Sequence, residues 1–323
     1  AAVAATRTIT LDNLAPQVSI DATLEIDNIV NSAEEGTVVV TGTSAGAVGR
    51  TVTVTADDSN GGTTAVSATG TIQTDGTYSV TLGTIDGLDE GSITITADVS
   101  DLAGNAATQA TKTLTYDDTA PSITIATTLE GDNKVNASED GHVVVSGSSS
   151  GLEAGRTVTV TLADSSSTVS TTATVLSSGA WVAESADISA LTDGNITVTA
   201  NASDTAGNAA SAATKTITLD NAAPTITIAT TLEGDNIVNI AEDATVVISG
   251  TTANVEDSQT VTVTFTDGTT TISKTASVSS DAFALTGGQI ADITNLNDGP
   301  ITVTASVSDA HGNAATPAER TIT

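Results

Sequence analysis

A five-residue turn, Asp-x-x-Gly-Asn, occurs three times in this chain, at Asp101–Asn105, Asp204–Asn208 and Asp309–Asn313, with starts 103 and 105 residues apart. Other markers keep the same phase. An Asp step precedes Ala-Pro at Asp12–Pro16, Asp117–Pro121 and Asp220–Pro224. Asp-Asn pairs recur at 27–28, 132–133 and 235–236, and acidic pairs at 34–35, 139–140 and 242–243. A fixed period of this length signals repeated domains. It overrules the two domains that a length of 323 residues would suggest by itself. The phase assigns 1–13 to the last strand of a preceding repeat, followed by repeats over 14–118, 119–221 and 222–323. The chain then reads as a window from a longer array.

Within each repeat the pattern is that of strands. Thr51–Thr55 reads TVTVT, Ile93–Thr96 ITIT, Thr225–Ile228 TITI and Ile301–Thr304 ITVT. A period of two places Val and Ile on one face and Thr on the other, as in a half-buried strand. No long segment has a 3.6-residue period. The 38% of apolar residues also argue against a disordered acidic chain. The fold class is therefore all-β. A unit of about 104 residues fits one immunoglobulin-like sandwich of about seven strands, and three of them make an extended tandem array. In the middle repeat the strands are expected at 122–127, 142–147, 157–163, 168–176, near Trp181, at 195–203 and at 213–219. Tyr78, Trp181 and Phe283 each follow a turn at the same place in their repeats and are expected to plug the cores. Threonine fills 64 positions, which suits the solvent face of strands. A flat Thr face that grips ice or polysaccharide is the rival reading.

Charge excludes whole classes. The net charge is −31, from 8 Lys+Arg against 39 Asp+Glu, with no basic patch. Nucleic acid and anionic membrane surfaces both require the opposite sign. The absence of cysteine excludes disulfides and thiol chemistry. No apolar run reaches the roughly 18 residues of a membrane span. His142 and His311 occupy unrelated places in their repeats, so no catalytic constellation is expected, and both read as exposed polar residues. Arg50 and Arg156 are expected to form local ion pairs, and Asp57–Gly62 a hairpin turn. The Asn-x-Ser/Thr sites at Asn136, Asn195 and Asn201 are common in so Thr-rich a chain.

The acids carry the informative chemistry. In a seven-stranded sandwich the loop after the first strand, the loop before the sixth and the end of the last strand share one pole. Asp132, Glu139, Asp193 and Asp220 gather there in the middle repeat, facing Asp309 of the third. Asp27, Glu34, Glu90, Asp117 and Asp118 do so in the first repeat, facing Asp204. Asp12 and Asp101 are the equivalents ahead of it, and Asp235, Glu242 and Asp298 those in the third repeat. Carboxylates crowded beside a linker of three or four residues repel one another. Ca²⁺, which takes six to eight oxygen ligands in flexible geometry, removes that repulsion. An oxygen-only set without Cys or His is a poor site for zinc or copper.

The segments APSITI (Ala120–Ile125), LEGDNKVNASED (Leu129–Asp140), GRTVTV (Gly155–Val160), LTDGNITVTA (Leu191–Ala200), DTAGNAA (Asp204–Ala210) and TKTITLD (Thr214–Asp220) together resemble the bacterial Ig-like extender repeats of giant RTX-type and biofilm-associated surface adhesins. The resemblance covers the whole chain in three copies. It implies a non-enzymatic stalk segment, exported by a type I system to the cell surface and expected to be monomeric. Its partners would be the neighbouring repeats of the same chain, with Ca²⁺ stiffening the junctions and a distal domain binding the ligand. It also implies Asp132, Glu139, Asp193 and Asp220, with their equivalents, as the calcium ligands. The first repeat departs from the pattern, with Ile26-Asp27 for Gly-Asp and Glu90 for Asp. The alternative is that the repeats themselves bind a polysaccharide, ice or a protein.

Overall fold

Strands built on the Thr/Val alternation account for nearly all regular structure in the computed structural model, which describes residues 3–323. Among the described residues there is no α-helix, only a single 3₁₀ turn at Gly287–Gln289. Two sheets cover each of three separate cores. In the middle of the chain one sheet runs in the order Lys134–Asn136, Ala213–Asp220, Gly194–Asn201, Thr157–Ala163, Thr168–Thr174. The facing sheet runs Ala180–Val182, Ser146–Ser150, Ser122–Ile125. The same two sheets recur before and after it, the third copy lacking only the short first member of the larger sheet.

Burial follows the period of two. In Thr157–Ala163, Val158, Val160 and Leu162 are fully buried while Thr157 and Thr159 face solvent. Tyr78, Trp181 and Phe283 are at most 3% exposed, so the aromatics do plug the cores. Each stands opposite a glycine of the neighbouring strand: Gly42 faces Tyr78, Gly147 faces Trp181 and Gly250 faces Phe283. A Cβ on Gly147 would lie 1.9 Å from the Thr124 carbonyl oxygen and 2.4 Å from the Trp181 ring. Only glycine lets the ring lie flat on the strand.

Three features depart from the sequence reading. The strand expected at 142–147 starts at Ser146. Val143 and Val145 still point into the core, but the Val144 amide donates to Glu130 Oε1 (2.7 Å) rather than to a strand. Glu25 and Glu233 serve Val39 and Val247 in the same way. This explains the Glu of the Leu-Glu-Gly-Asp-Asn segment: it replaces a ladder partner that bends away. Second, Lys134–Asn136 forms a short strand parallel to Thr218–Asp220, inside what reads as a loop. Three residues are too few to show a period. Third, residues 3–16 form no strand, and Val3, Ile9, Leu11 and Leu14 are exposed. They lie along no sheet edge that would fix them. Ala1 and Ala2, also assigned to that strand, lie outside the described residues.

The arginines do not form the expected ion pairs. Arg50 Nε donates to the Ser100 carbonyl and Arg156 Nε to the Ser203 carbonyl (2.8 Å). Both tie the third strand to the start of the Asp-x-x-Gly-Asn turn. Each carbonyl takes the Nε–H donor of its arginine.

Candidate metal centre at the repeat junctions

Each Asp-x-x-Gly-Asn turn is locked by its own ends. Asp204 is 1% and Asn208 2% exposed. The Asn208 amide donates to Asp204 Oδ1 (2.8 Å) and its Nδ2 to Oδ2 (3.1 Å). Asp309 and Asn313 repeat this at 2.9 and 2.8 Å, and Asp101 and Asn105 at 2.9 and 2.8 Å. Hydrogen bonds from Asn105, above all from its side chain, hold the Asp101 carboxyl below the usual range. The buried Asp101 carboxylate thus remains ionised inside its turn.

The same asparagine reaches across the junction. Asn208 Nδ2 donates to the Asp117 carbonyl (2.7 Å), and its Oδ1 accepts from the Ser32 amide (3.0 Å). Asn31 Nδ2 returns a bond to the Ala206 carbonyl (2.9 Å). At the second junction Asn313 bonds the Asp220 carbonyl (2.8 Å) and the Ala137 amide (2.8 Å), and Asn136 bonds the His311 carbonyl (3.1 Å). Asn105 meets the Asp12 carbonyl ahead of the first core (3.2 Å). The short parallel strand sets Asn136 beside Asp220 for this purpose. In the third copy Asn239 Nδ2 turns back to Glu242 (2.7 Å).

The structure sorts the candidate acids into three kinds. Asp27, Asp132 and Asp235 each accept the amide two residues on, at 2.9 Å, and shape the turn that carries an αL asparagine at 28, 133 or 236. Asp27 and Asp132 stand just ahead of the short parallel strands Ile29–Val30 and Lys134–Asn136. Glu34, Glu139 and Glu242 close a capping box, accepting the amides of Asn31, Asn136 and Asn239 at 3.2, 3.1 and 3.0 Å. Each uses Oε2 for this and keeps Oε1 free of hydrogen bonds. Asp12, Asp117 and Asp220 hold the linker through the amide two residues on (3.2, 3.2 and 3.1 Å). Glu90 fixes the linker through the Asp118 amide (3.0 Å) and Thr119 Oγ1 (2.6 Å), and Asp193 does so through the Asn221 amide (3.0 Å). Asp118 shares the Tyr116 hydroxyl with Glu35. Asp298, the third equivalent of Glu90, is exposed in a cleft with Asp243 and Asn239.

Two ligand-type residues escaped the sequence reading. Glu153 accepts the Thr205 amide (3.0 Å) and Glu256 the Ala310 amide (2.8 Å), so each leans from its own repeat onto the Asp-x-x-Gly-Asn turn. Their recurrence in phase was the available signal. At the first junction burial pushes the Asp117 carboxyl above its ordinary range, and the charges of Asp204, Glu90 and Glu153 push it the same way. Asp117 therefore feels three other carboxylates there, an oxygen-only donor set of the chemistry that Ca²⁺ takes.

At the second junction Asp220, Glu256 and His311 bring one ligand atom each within 4.8 Å of the others, the only such group of three or more among the described residues. They line an open cleft with Asp193 and Asp281. His311 is thus a half-buried junction residue, its ring nitrogen 3.1 Å from Thr218 Oγ1, and not the exposed polar residue expected from the sequence. It takes the place that Ala206 has at the first junction.

Comparison with known proteins agrees with this architecture. A bacterial Ig-like domain model matches residues 123–221, and a second bacterial Ig-like model (group 3) matches 182–321. No curated protein matches the chain. Among solved structures, the chain is 30% identical to a tetra-tandem repeat in the extending region of a large adhesion protein, covering 96% of this chain and 74% of that one, at a TM-score of 0.33. It is 27% identical to a Ca²⁺-stabilized adhesin with which an Antarctic bacterium reaches out and binds ice, covering 96% and 74%, at a TM-score of 0.45. It is 24% identical to part of a 1.5-MDa bacterial ice-binding adhesin described for its retention at the host cell surface, covering 97% and 98%, at a TM-score of 0.42. On its own recurring motifs, its paired sheets and the two family models, which together span residues 123–321, the chain belongs to the bacterial Ig-like domains, arranged as tandem repeats.

Proposed function

We propose that this chain is a stalk segment of a large bacterial surface adhesin, in which Ca²⁺ at the junctions turns a string of repeats into a stiff rod. In this reading the repeats span 14–118, 119–221 and 222–323, work as a monomer outside the cell, and hold a distal ligand-binding domain away from the surface. The observation that carries it is the first junction. Asn208 and Asn31 already fix the relative placement of two repeats through neutral hydrogen bonds. Around them burial raises the cost of ionising Asp117, and the charges of Asp204, Glu90 and Glu153 add to it. Bound Ca²⁺ would take its oxygens from these residues and remove that cost. The carboxylates' own task is to hold the linker, through the bonds of Asp117 and Glu90, at the place where the cation screens them.

Affinity per site is expected at about 10⁻⁴–10⁻³ M, the range of extracellular modules. Small-angle scattering with Ca²⁺ and with EDTA tests the proposal. A long, stiff particle that becomes flexible on chelation supports it. Identical scattering and melting in the two conditions would falsify it.

A further inference from the structure

The two junctions are not chemically alike. Both present an Asp at the end of the last strand and a Glu from the following repeat, Asp117 with Glu153 and Asp220 with Glu256. Only the second adds an imidazole. There the local hydrogen bonds use up one atom of each acid and spare another. Asp220 Oδ1 holds the Ala222 amide, and Oδ2 stands 3.5 Å from His311 Nδ1. Glu256 Oε2 holds the Ala310 amide and leaves its other oxygen free. His311 Nδ1 is buried with no hydrogen-bond partner. A buried nitrogen left in that state costs free energy, so it calls for a ligand. Ligation through Nδ1 requires the ring proton on Nε2, and Thr218 Oγ1, 3.1 Å away, is placed to accept it. That contact fixes the tautomer and the ring, as the outer partners of metal-bound histidines do.

We propose that the second junction takes a borderline divalent cation of the Zn²⁺ class on Asp220 Oδ2, Glu256 and His311 Nδ1, whereas the oxygen-only first junction takes Ca²⁺. Ligand atoms at about 2.0–2.1 Å from a tetrahedral Zn²⁺ stand ~3.3 Å apart. The three donors, now within 4.8 Å, must draw in by about 1.5 Å at most, which rotation of exposed Glu256 supplies. Nitrogen in the set shifts preference away from Ca²⁺, which binds oxygen. Three protein ligands leave a fourth position for water or for Asp193, which lines the same cleft.

The test is a Zn²⁺ titration of the whole, chelator-stripped chain in saturating Ca²⁺, followed by long-range ¹H–¹⁵N spectra of its two imidazoles and by calorimetry. One equivalent is expected, moving the His311 Nδ1 resonance and leaving exposed His142 unchanged. His311→Ala should bind Zn²⁺ at least about tenfold more weakly. Ala206→His puts an imidazole beside Asp117, Glu153 and Thr115, and should raise the stoichiometry to two. The proposal is overturned if the His311 ring does not respond, if both imidazoles respond alike, if H311A binds Zn²⁺ as tightly as the native chain, or if A206H adds no site. The Ca²⁺ reading fails separately: a native chain with no calcium heat and an intact His311 response removes that reading alone.

Discussion

Replacing Asn208 by Ala should open the first junction and leave the second intact. The side chain makes two bonds across the junction, to the Asp117 carbonyl at 2.7 Å and from the Ser32 amide at 3.0 Å. Neutral hydrogen bonds contribute about 0.5–1.5 kcal/mol each, so the closed arrangement loses about 1–3 kcal/mol. That is about a 5–150-fold rise in the open population. The variant also strips one donor from buried Asp204, which costs the Asp204–Asn208 turn about 1–3 kcal/mol more. Cleavage of the linker by an Asp-directed protease reads the open fraction when opening and closing are fast. At saturating Ca²⁺, cutting at 117–121 should speed up about 5–150-fold, while cutting at 220–224 keeps its native rate. A change below about twofold at the first linker, or an equal rise at the second, would refute the assignment of Asn208 as the junction clasp.

Other consequences follow from the same contacts. Gly147→Ala forces the Thr124 carbonyl and the Trp181 ring apart and should cost about 3 kcal/mol in denaturant melts, whereas Gly141→Ala, with nothing within 4 Å, should stay within about 0.5 kcal/mol; equal effects would remove the ring-on-glycine argument. Lys134 Nζ donates to the Ala310 carbonyl (2.8 Å) at the second junction only, so Lys134→Met should speed cutting at 220–224 about fivefold and leave 117–121 alone. Acid should act through Asp164 and Asp267. Backbone donors, Thr192 first for Asp164 and Thr270 first for Asp267, hold both carboxyls well below the usual range. Their folded values lie below the unfolded one, so their contribution is complete above about pH 4 and is lost as pH falls further. Asp164→Asn should therefore flatten the fall in melting temperature below about pH 4, and an unchanged acid slope would contradict the assignment.

Much of this molecule is written in its sequence, and the exceptions have physical causes. Thr157–Ala163 and its equivalents alternate cleanly because one face meets the core and the other meets water. The buried aromatics and the Asp-x-x-Gly-Asn turns are legible because each recurs in phase. The short strand Lys134–Asn136 is not, since its pairing to Thr218–Asp220 is decided by the junction rather than by any pattern of its own. Glu130 looks like one more surface acid until Val144 is seen to need an acceptor for its amide. Asp132 recurs in phase with Asp27 and Asp235, and the structure shows the turn that all three shape. Glu153, Glu256 and His311 belong to strand connections that only the packing of one repeat on the next brings to the linker.

Calcium stiffening of the first junction can be read directly as a distance. The chain contains no cysteine, so Thr69→Cys and Thr172→Cys place one spin label on an exposed strand position in each of the first two repeats. Pulsed dipolar spectroscopy then gives the distribution of distances between them. A narrow distribution in Ca²⁺ that broadens in EDTA, and that is broad in both conditions for Asp117→Ala, is the predicted result. A distribution equally narrow with and without Ca²⁺ would show that the hydrogen-bonded clasp alone sets the rod, and would contradict the account.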